Sequence, residues 1–117
     1  MVGLVEWIEW KTTDIDKTAN VLEKLFGWKF DKWSPDYFMF QPEKGAGVGL
    51  IKLDTVNAGY SPINYITVGS IDKTIDEAKN LGLIIKLPKS DIPNIGWHSL
   101  LQDYDGNVFG LFERINK

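Results

Sequence analysis

The tetrapeptide Ile-Asp-Lys-Thr occurs twice, at Ile15 to Thr18 and at Ile71 to Thr74, 56 residues apart in a chain of 117. Each copy follows a short run of alternating apolar residues and a polar cap, Asp14 or Ser70. Each opens a helix-like stretch that stops at a glycine, Gly27 or Gly82, and each continues into a β-rich tail. Four matching letters alone would be weak. The shared order of cap, helix, glycine and strand makes the chain read as a duplicated β-α-β-β-β module. Two such modules, related by a pseudo-twofold axis, would place their sheets around one shared groove, and a groove is where function would sit.

Length and composition narrow the function classes. A chain of 117 residues is one ordinary domain, here 1–117, with module one at 1–54, a linker at 55–62 and module two at 63–117. Five Trp, six Phe and four Tyr are enough for a core with aromatics left over to line a pocket. The net charge is −3, and no Lys/Arg cluster could neutralise a run of phosphates, so no nucleic-acid partner is expected. Without cysteine there is no thiolate catalysis and no Cys-based zinc site. No apolar run approaches the ~18 residues of a membrane span, and Met1 to Lys11 lacks a signal-peptide layout, so a cytoplasmic protein without a membrane partner is expected.

The first module reads as strand (Val2 to Lys11), helix (Ile15 to Phe26, with Ile15, Ala19, Leu22 and Phe26 on one face), strands at Trp28 to Trp33 and Tyr37 to Gln41, a glycine-bearing hairpin loop, and a strand at Val48 to Leu53. The second reads as strand (Ile63 to Val68), helix (Ile71 to Leu81), strand (Leu83 to Leu87), a long loop from Pro88 to Gly96, and strands at Trp97 to Gln102 and Val108 to Glu113. That loop is the expected lid over a site. Gly45-Ala46-Gly47-Val48-Gly49 lacks the Lys-Ser/Thr pair and the following helix of a phosphate loop. Asp103-Tyr104-Asp105-Gly106-Asn107 is too short for a calcium loop and reads as a hairpin turn.

Several segments, in order, resemble the vicinal oxygen chelate superfamily, which includes glyoxalase I, extradiol dioxygenases, and the fosfomycin and bleomycin resistance proteins. They are Thr13-Asp14-Ile15-Asp16 leading to Lys24-Leu25-Phe26-Gly27-Trp28-Lys29-Phe30, then Ile71-Asp72, Asp91-Ile92-Pro93 with Gly96-Trp97, and Asp103-Tyr104-Asp105-Gly106-Asn107. The resemblance covers nearly the whole chain. It is nearest to small glyoxalase-like proteins whose last strand reads Gly-Asn-Val-x-Gly-Leu, here Gly106 to Leu111. It implies an α+β fold, the glyoxalase/bleomycin resistance fold, with paired modules forming a cleft.

The resemblance also implies where a metal would be held: by His, Glu or Gln on the first and last strands of each module. Those positions fall on Trp7, Ile63 and Gly110, with the fourth inside Gly47 to Leu53, which has no His, Glu, Asp or Gln. Trp, Ile and Gly offer no side-chain lone pair to a cation. The expectation is therefore no metal and no cofactor.

Strand alternation says what faces the groove instead. If Trp7 faces it, so do Glu9 and Lys11, while Ile8 and Trp10 face the helix. The same parity presents Ile63, Tyr65 and Thr67, and on the last strand Val108, Gly110 and Phe112. His98 joins them if Gln102 pairs with Val108 across the turn. The candidate ligand-binding residues are Trp7, Glu9, Lys11, Tyr65, Thr67, His98 and Phe112. Glu9, Tyr65 and His98 are candidate acid–base groups. Glu9 alternatively forms an ion pair with Lys11, and His98 alternatively packs as a structural side chain. Gly110 would leave room for a ligand.

Three functions fit. One is metal-free binding of an unidentified small molecule in an aromatic groove. Another is a metal-independent lyase or isomerase-type enzyme, which the resemblance relates to lactoylglutathione lyase. The third is a dimeric interaction module with a filled groove. A homodimer is expected, with Trp33, Trp97 and Tyr60 as candidate interface anchors.

Overall fold

Both copies of the repeat open a helix, and both do so through the side chain that precedes them. In the computed structural model, which describes residues 1–116, Asp14 accepts the backbone N–H of Lys17 at 3.2 Å and starts α1 (Ile15–Phe26). Ser70 accepts the N–H of Lys73 at 3.2 Å and starts α2 (Ile71–Asn80). Each cap satisfies one of the donors a helix leaves over at its N-terminus. Gly27 ends α1 in the left-handed region at φ 74°, donating to the Glu23 carbonyl at 2.8 Å. α2 is shorter than its periodicity predicts, with Leu81 as its cap and the left-handed residue, Gly82, just beyond.

The chain divides into two units, the first ending at Val56 and the second beginning at Asn57. Unit one holds β1 (Trp7–Thr12), α1, β2 (Asp31–Ser34), β3 (Tyr37–Phe40) and β4 (Gly47–Lys52), with sheet order β1-β4-β3-β2. Unit two holds β5 (Tyr65–Thr67), α2, β6 (Ile84–Ile92), β7 (Gly96–Gln102) and β8 (Val108–Arg114), with sheet order β5-β8-β7-β6. The first strand of each unit pairs in parallel with the last, and the remaining pairs are antiparallel. Element order and sheet topology are the same in both units, as the repeat predicts.

Each helix covers one face of its own sheet. In unit one, Trp10, Phe38, Val48 and Leu50 are buried with Ile15, Val21 and Leu22 of α1. In unit two, Leu101, Phe109 and Leu111 are buried with Ile71 and Ala78 of α2. Glu113, only 5% exposed, shares that inner face and accepts the backbone N–H of Ile71 at 2.7 Å. A carboxylate at a helix N-terminus is favoured by the orphan donors and the helix dipole. Trp7 and Trp10 lie on opposite faces, Trp10 6% exposed and Trp7 38%, as alternation requires.

The structure corrects several predicted boundaries. Residues 2–6 and 63–64 lie outside the strands, so β1 and β5 begin later than the apolar pattern suggests. Residues 28–30 are not strand either. Their alternation is used in an aromatic cluster, Trp28 packing between Phe26 and Phe40 at 5.0 and 6.1 Å, and Phe30 against Phe40 at 6.1 Å.

The largest correction concerns Pro88 to Gly96. It is no lid: β6 runs on to Ile92, a tight turn with Asn94 at φ 68° follows, and β7 begins at Gly96. Pro88 is accommodated because β6 is an edge strand and its register shifts between Leu87 and Ser90. Among the described residues, no helix is long and apolar enough to cross a membrane.

Candidate functional site

The face of each sheet away from its helix is organised by glycine on the last strand. β4 lies between β1 and β3, so side chains on those outer strands start roughly 10 Å apart, two interstrand spacings. They meet only if β4 puts nothing between them. Gly47 and Gly49, two residues apart and so on one face, meet that condition.

A Cβ on Gly47 would lie 2.3 Å and 2.5 Å from Cζ3 and Cε3 of Trp7, and one on Gly49 would lie 2.8 Å from its Nε1. Those atoms sit on opposite sides of the indole, so the ring lies flat along β4, over both glycines. Its Nε1 donates to the Tyr37 hydroxyl at 3.0 Å, and that hydroxyl donates to Glu9 Oε2 at 3.2 Å. The direction of the chain is fixed, because an indole N–H only donates and a carboxylate only accepts. Glu9 thus finds its partner on β3 rather than in Lys11. Lys11 is exposed on the same side of β1, beyond Glu9 from Trp7.

Unit two repeats the device with different chemistry. Tyr65 pairs with Gly110 on β8, and a Cβ at 110 would lie 2.4 Å from the Tyr65 ring. The space over Gly110 is therefore filled by that ring and does not stand open for a ligand, contrary to the sequence expectation. On the far side of β8, Gln102 pairs with Val108 and His98 with Phe112. This is the register that the facing of His98 depended on. His98 Nδ1 lies 3.4 Å from the Tyr65 hydroxyl, with the rings 6.1 Å apart, and the tautomer decides which atom donates. Thr67, paired with Phe112, lines a shallow depression of about 250 Å³ with Val68, Gly69 and Arg114, whose guanidinium lies 5.1 Å from the Phe112 ring centre.

The structure thus brings Trp7 and Glu9 together in unit one, and Tyr65, His98, Phe112 and Thr67 onto one face of unit two. The sequence reading missed Tyr37. Its signal was present: alternating glycines on β4 allow the outer strands to touch, and hairpin parity places Tyr37 over that face.

The residues do not fit a metal centre at the positions the superfamily uses. Trp7 and Ile63 offer no ligand, and at Gly110 the Tyr65 ring takes the space. Among the described residues, no three His, Cys, Asp or Glu side chains come together to hold a cation.

No family model matches the chain. A protein described as "Putative glyoxylase CFP32", from Mycobacterium bovis and from Mycobacterium tuberculosis, is 27% identical over an alignment of 128 residues covering 95% of this chain. The chain spans about half of those relatives, 46% of their length. A glyoxalase/bleomycin resistance protein/dioxygenase family enzyme from Burkholderia phytofirmans superposes with a TM-score of 0.81 at 16% identity, covering 95% of this chain and 98% of that one. The fosfomycin resistance protein FosX from Listeria monocytogenes, in complex with Mn(II) and sulfate, superposes with a TM-score of 0.79 at 19% identity, covering 99% and 93%. The chain has the glyoxalase/bleomycin resistance/dioxygenase fold, and its likeness in sequence and structure is to the vicinal oxygen chelate superfamily.

Proposed function

We propose that the chain binds a small molecule without a metal, on the glycine-floored faces of its sheets. The supporting observation is the Trp7–Tyr37–Glu9 chain of hydrogen bonds, which holds an exposed indole flat beside a carboxylate. Fixing side chains before a ligand arrives lowers the ordering cost of binding. FosX is described in complex with Mn(II), whereas the exposed Trp7 ring of this chain suits stacking and not coordination. Assembly as a homodimer belongs to the same proposal. Of its candidate anchors, Trp33 is 72% and Tyr60 52% exposed, while Trp97 is half-buried beneath Lys89 Nζ at 4.7 Å.

A second reading has its own observation. Tyr65 and His98 form a phenol–imidazole pair able to exchange a proton, the minimum for a metal-independent lyase or isomerase-type step. Two substitutions separate the readings. Glu9→Gln in a binding protein changes affinity and charge preference. His98→Ala in an enzyme abolishes turnover while leaving ligand affinity within a few-fold. Co-purified small molecules, identified by mass spectrometry, supply the ligand for both assays. A chain that retains nothing and turns over nothing would return the account to the interaction-module reading, to which the filled space over Gly110 already lends weight.

A further inference from the structure

The ligand's chemical class can be read from the Trp7 face, an inference that rests on the binding reading above. The indole is held from below by the backbone at Gly47 and Gly49 and from its nitrogen edge by Tyr37. At 38% exposure its outer face is open to solvent. A flat π-face fixed in this way accepts a flat partner, and its quadrupole favours a positive one.

Glu9 adds the second element. Its one hydrogen bond uses Oε2, so Oε1 of this exposed side chain is left for another donor. The Tyr37 hydroxyl gives its proton to Glu9 and its lone pair to Trp7, so it fixes the spacing between platform and carboxylate. Lys11 follows Glu9 by two residues on the same side of β1, one strand position further from Trp7.

We infer that this face binds a planar cation bearing N–H donors, of the guanidinium, amidinium or protonated amino-heteroaromatic class. It would stack on the outer face of Trp7 and donate to Glu9. The geometry disfavours carboxylates and phosphates, since the charge tied to the platform through Tyr37 is the Glu9 carboxylate. It also disfavours bulky non-planar ammonium ions, since a single flat wall gives them little contact.

The test uses three probes of equal ring size: benzamidinium chloride, benzamide and sodium benzoate. Each is titrated into the full chain while the indole N–H signals are followed by ¹⁵N–¹H NMR, with the Trp7 signal assigned by its loss in Trp7→Phe. Benzamidinium should shift the Trp7 signal saturably in the millimolar range, about tenfold more tightly than benzamide, a difference of roughly 1.4 kcal/mol. Benzoate should leave it in place. Glu9→Gln should reduce benzamidinium to the level of benzamide. Tyr37→Phe should weaken benzamidinium several-fold while preserving its preference over benzamide.

Benzoate binding as tightly as benzamidinium would overturn the inference, as would an unchanged cation preference in Glu9→Gln. If benzamide or benzoate shifts Trp7 and benzamidinium does not, the ligand class is wrong and the binding reading stands. If no probe shifts it up to about 50 mM and nothing co-purifies with the chain, both fall.

Discussion

Tyr37 and His98 occupy the same place in their units: each stands on the third strand of its unit and reaches across the last strand to a side chain on the first. Tyr37 is opposite Ile51 and reaches Glu9, whose own strand partner is Gly49. His98 is opposite Phe112 and reaches Tyr65, whose partner is Gly110. The duplication has preserved a geometry, a glycine on the central strand with two side chains meeting above it, while the chemistry of the pair has diverged.

The glycine is what permits the contact at Tyr65. Gly110→Ala would place a methyl 2.4 Å from the Tyr65 ring, so the ring must move off the strand. Overpacking of this kind costs about 1–3 kcal/mol. Urea unfolding should show that loss, and the His98 imidazole NMR signals should shift as the Tyr65 contact breaks.

Gly49→Ala acts on the other unit. The added methyl would lie 2.1 Å from the Tyr37 hydroxyl and displace it from both Trp7 and Glu9. Tyr37 is half-buried and can swing outward, so stability should fall by about 1–3 kcal/mol, the net worth of two ordinary hydrogen bonds. The Trp7 indole N–H should move upfield and exchange faster with solvent.

Glu113 is a structural carboxylate. Its Oε1 accepts the Ile71 N–H in a buried setting at the start of α2. Glu113→Ala should cost about 1.5–3 kcal/mol, the range for a hydrogen bond to a charged group. Amide exchange measured across Ile71 to Thr74 should quicken more than exchange in α1.

The turn at Asp103 makes a similar case. Its carboxylate accepts the backbone N–H of Asp105 and of Asn107, each at 2.9 Å, and the Asn107 side chain at 3.1 Å. Asp103→Ala should destabilise by about 2–3 kcal/mol, read by thermal or urea unfolding. Added calcium should leave the unfolding midpoint of the parent chain unchanged.

Much of this was legible in the residues. The repeated Ile-Asp-Lys-Thr gave the two modules, because a polar cap and a terminal glycine mark a helix wherever they recur. Alternation alone separated Trp7 from Trp10 and placed Tyr65 and Phe112 on one face, while His98 joined them only through the pairing of Gln102 with Val108. Strand ends were less legible. Trp28 and Phe30 alternate like a strand, yet their side chains serve an aromatic cluster. Pro88 reads as a loop residue, yet an edge strand with a shifted register accommodates it. The site was half legible. A glycine shows that space exists and does not show who fills it, so Gly110 suggested a vacancy that Tyr65 occupies. Tyr37 was missed although the alternating glycines of β4 signalled a contact, because only the β3–β4 register shows which side chain makes it.

The central claim is that an aromatic platform, and not a metal, holds the ligand. The most direct measurement is native mass spectrometry of the purified, tag-free chain after exposure to a metabolite pool, with and without prior chelation, alongside Trp7→Ala. The same small molecule should be retained before and after chelation, and affinity should be lower by about 1–3 kcal/mol in Trp7→Ala. Near-stoichiometric zinc, nickel, iron or manganese that chelation removes together with the ligand would contradict it.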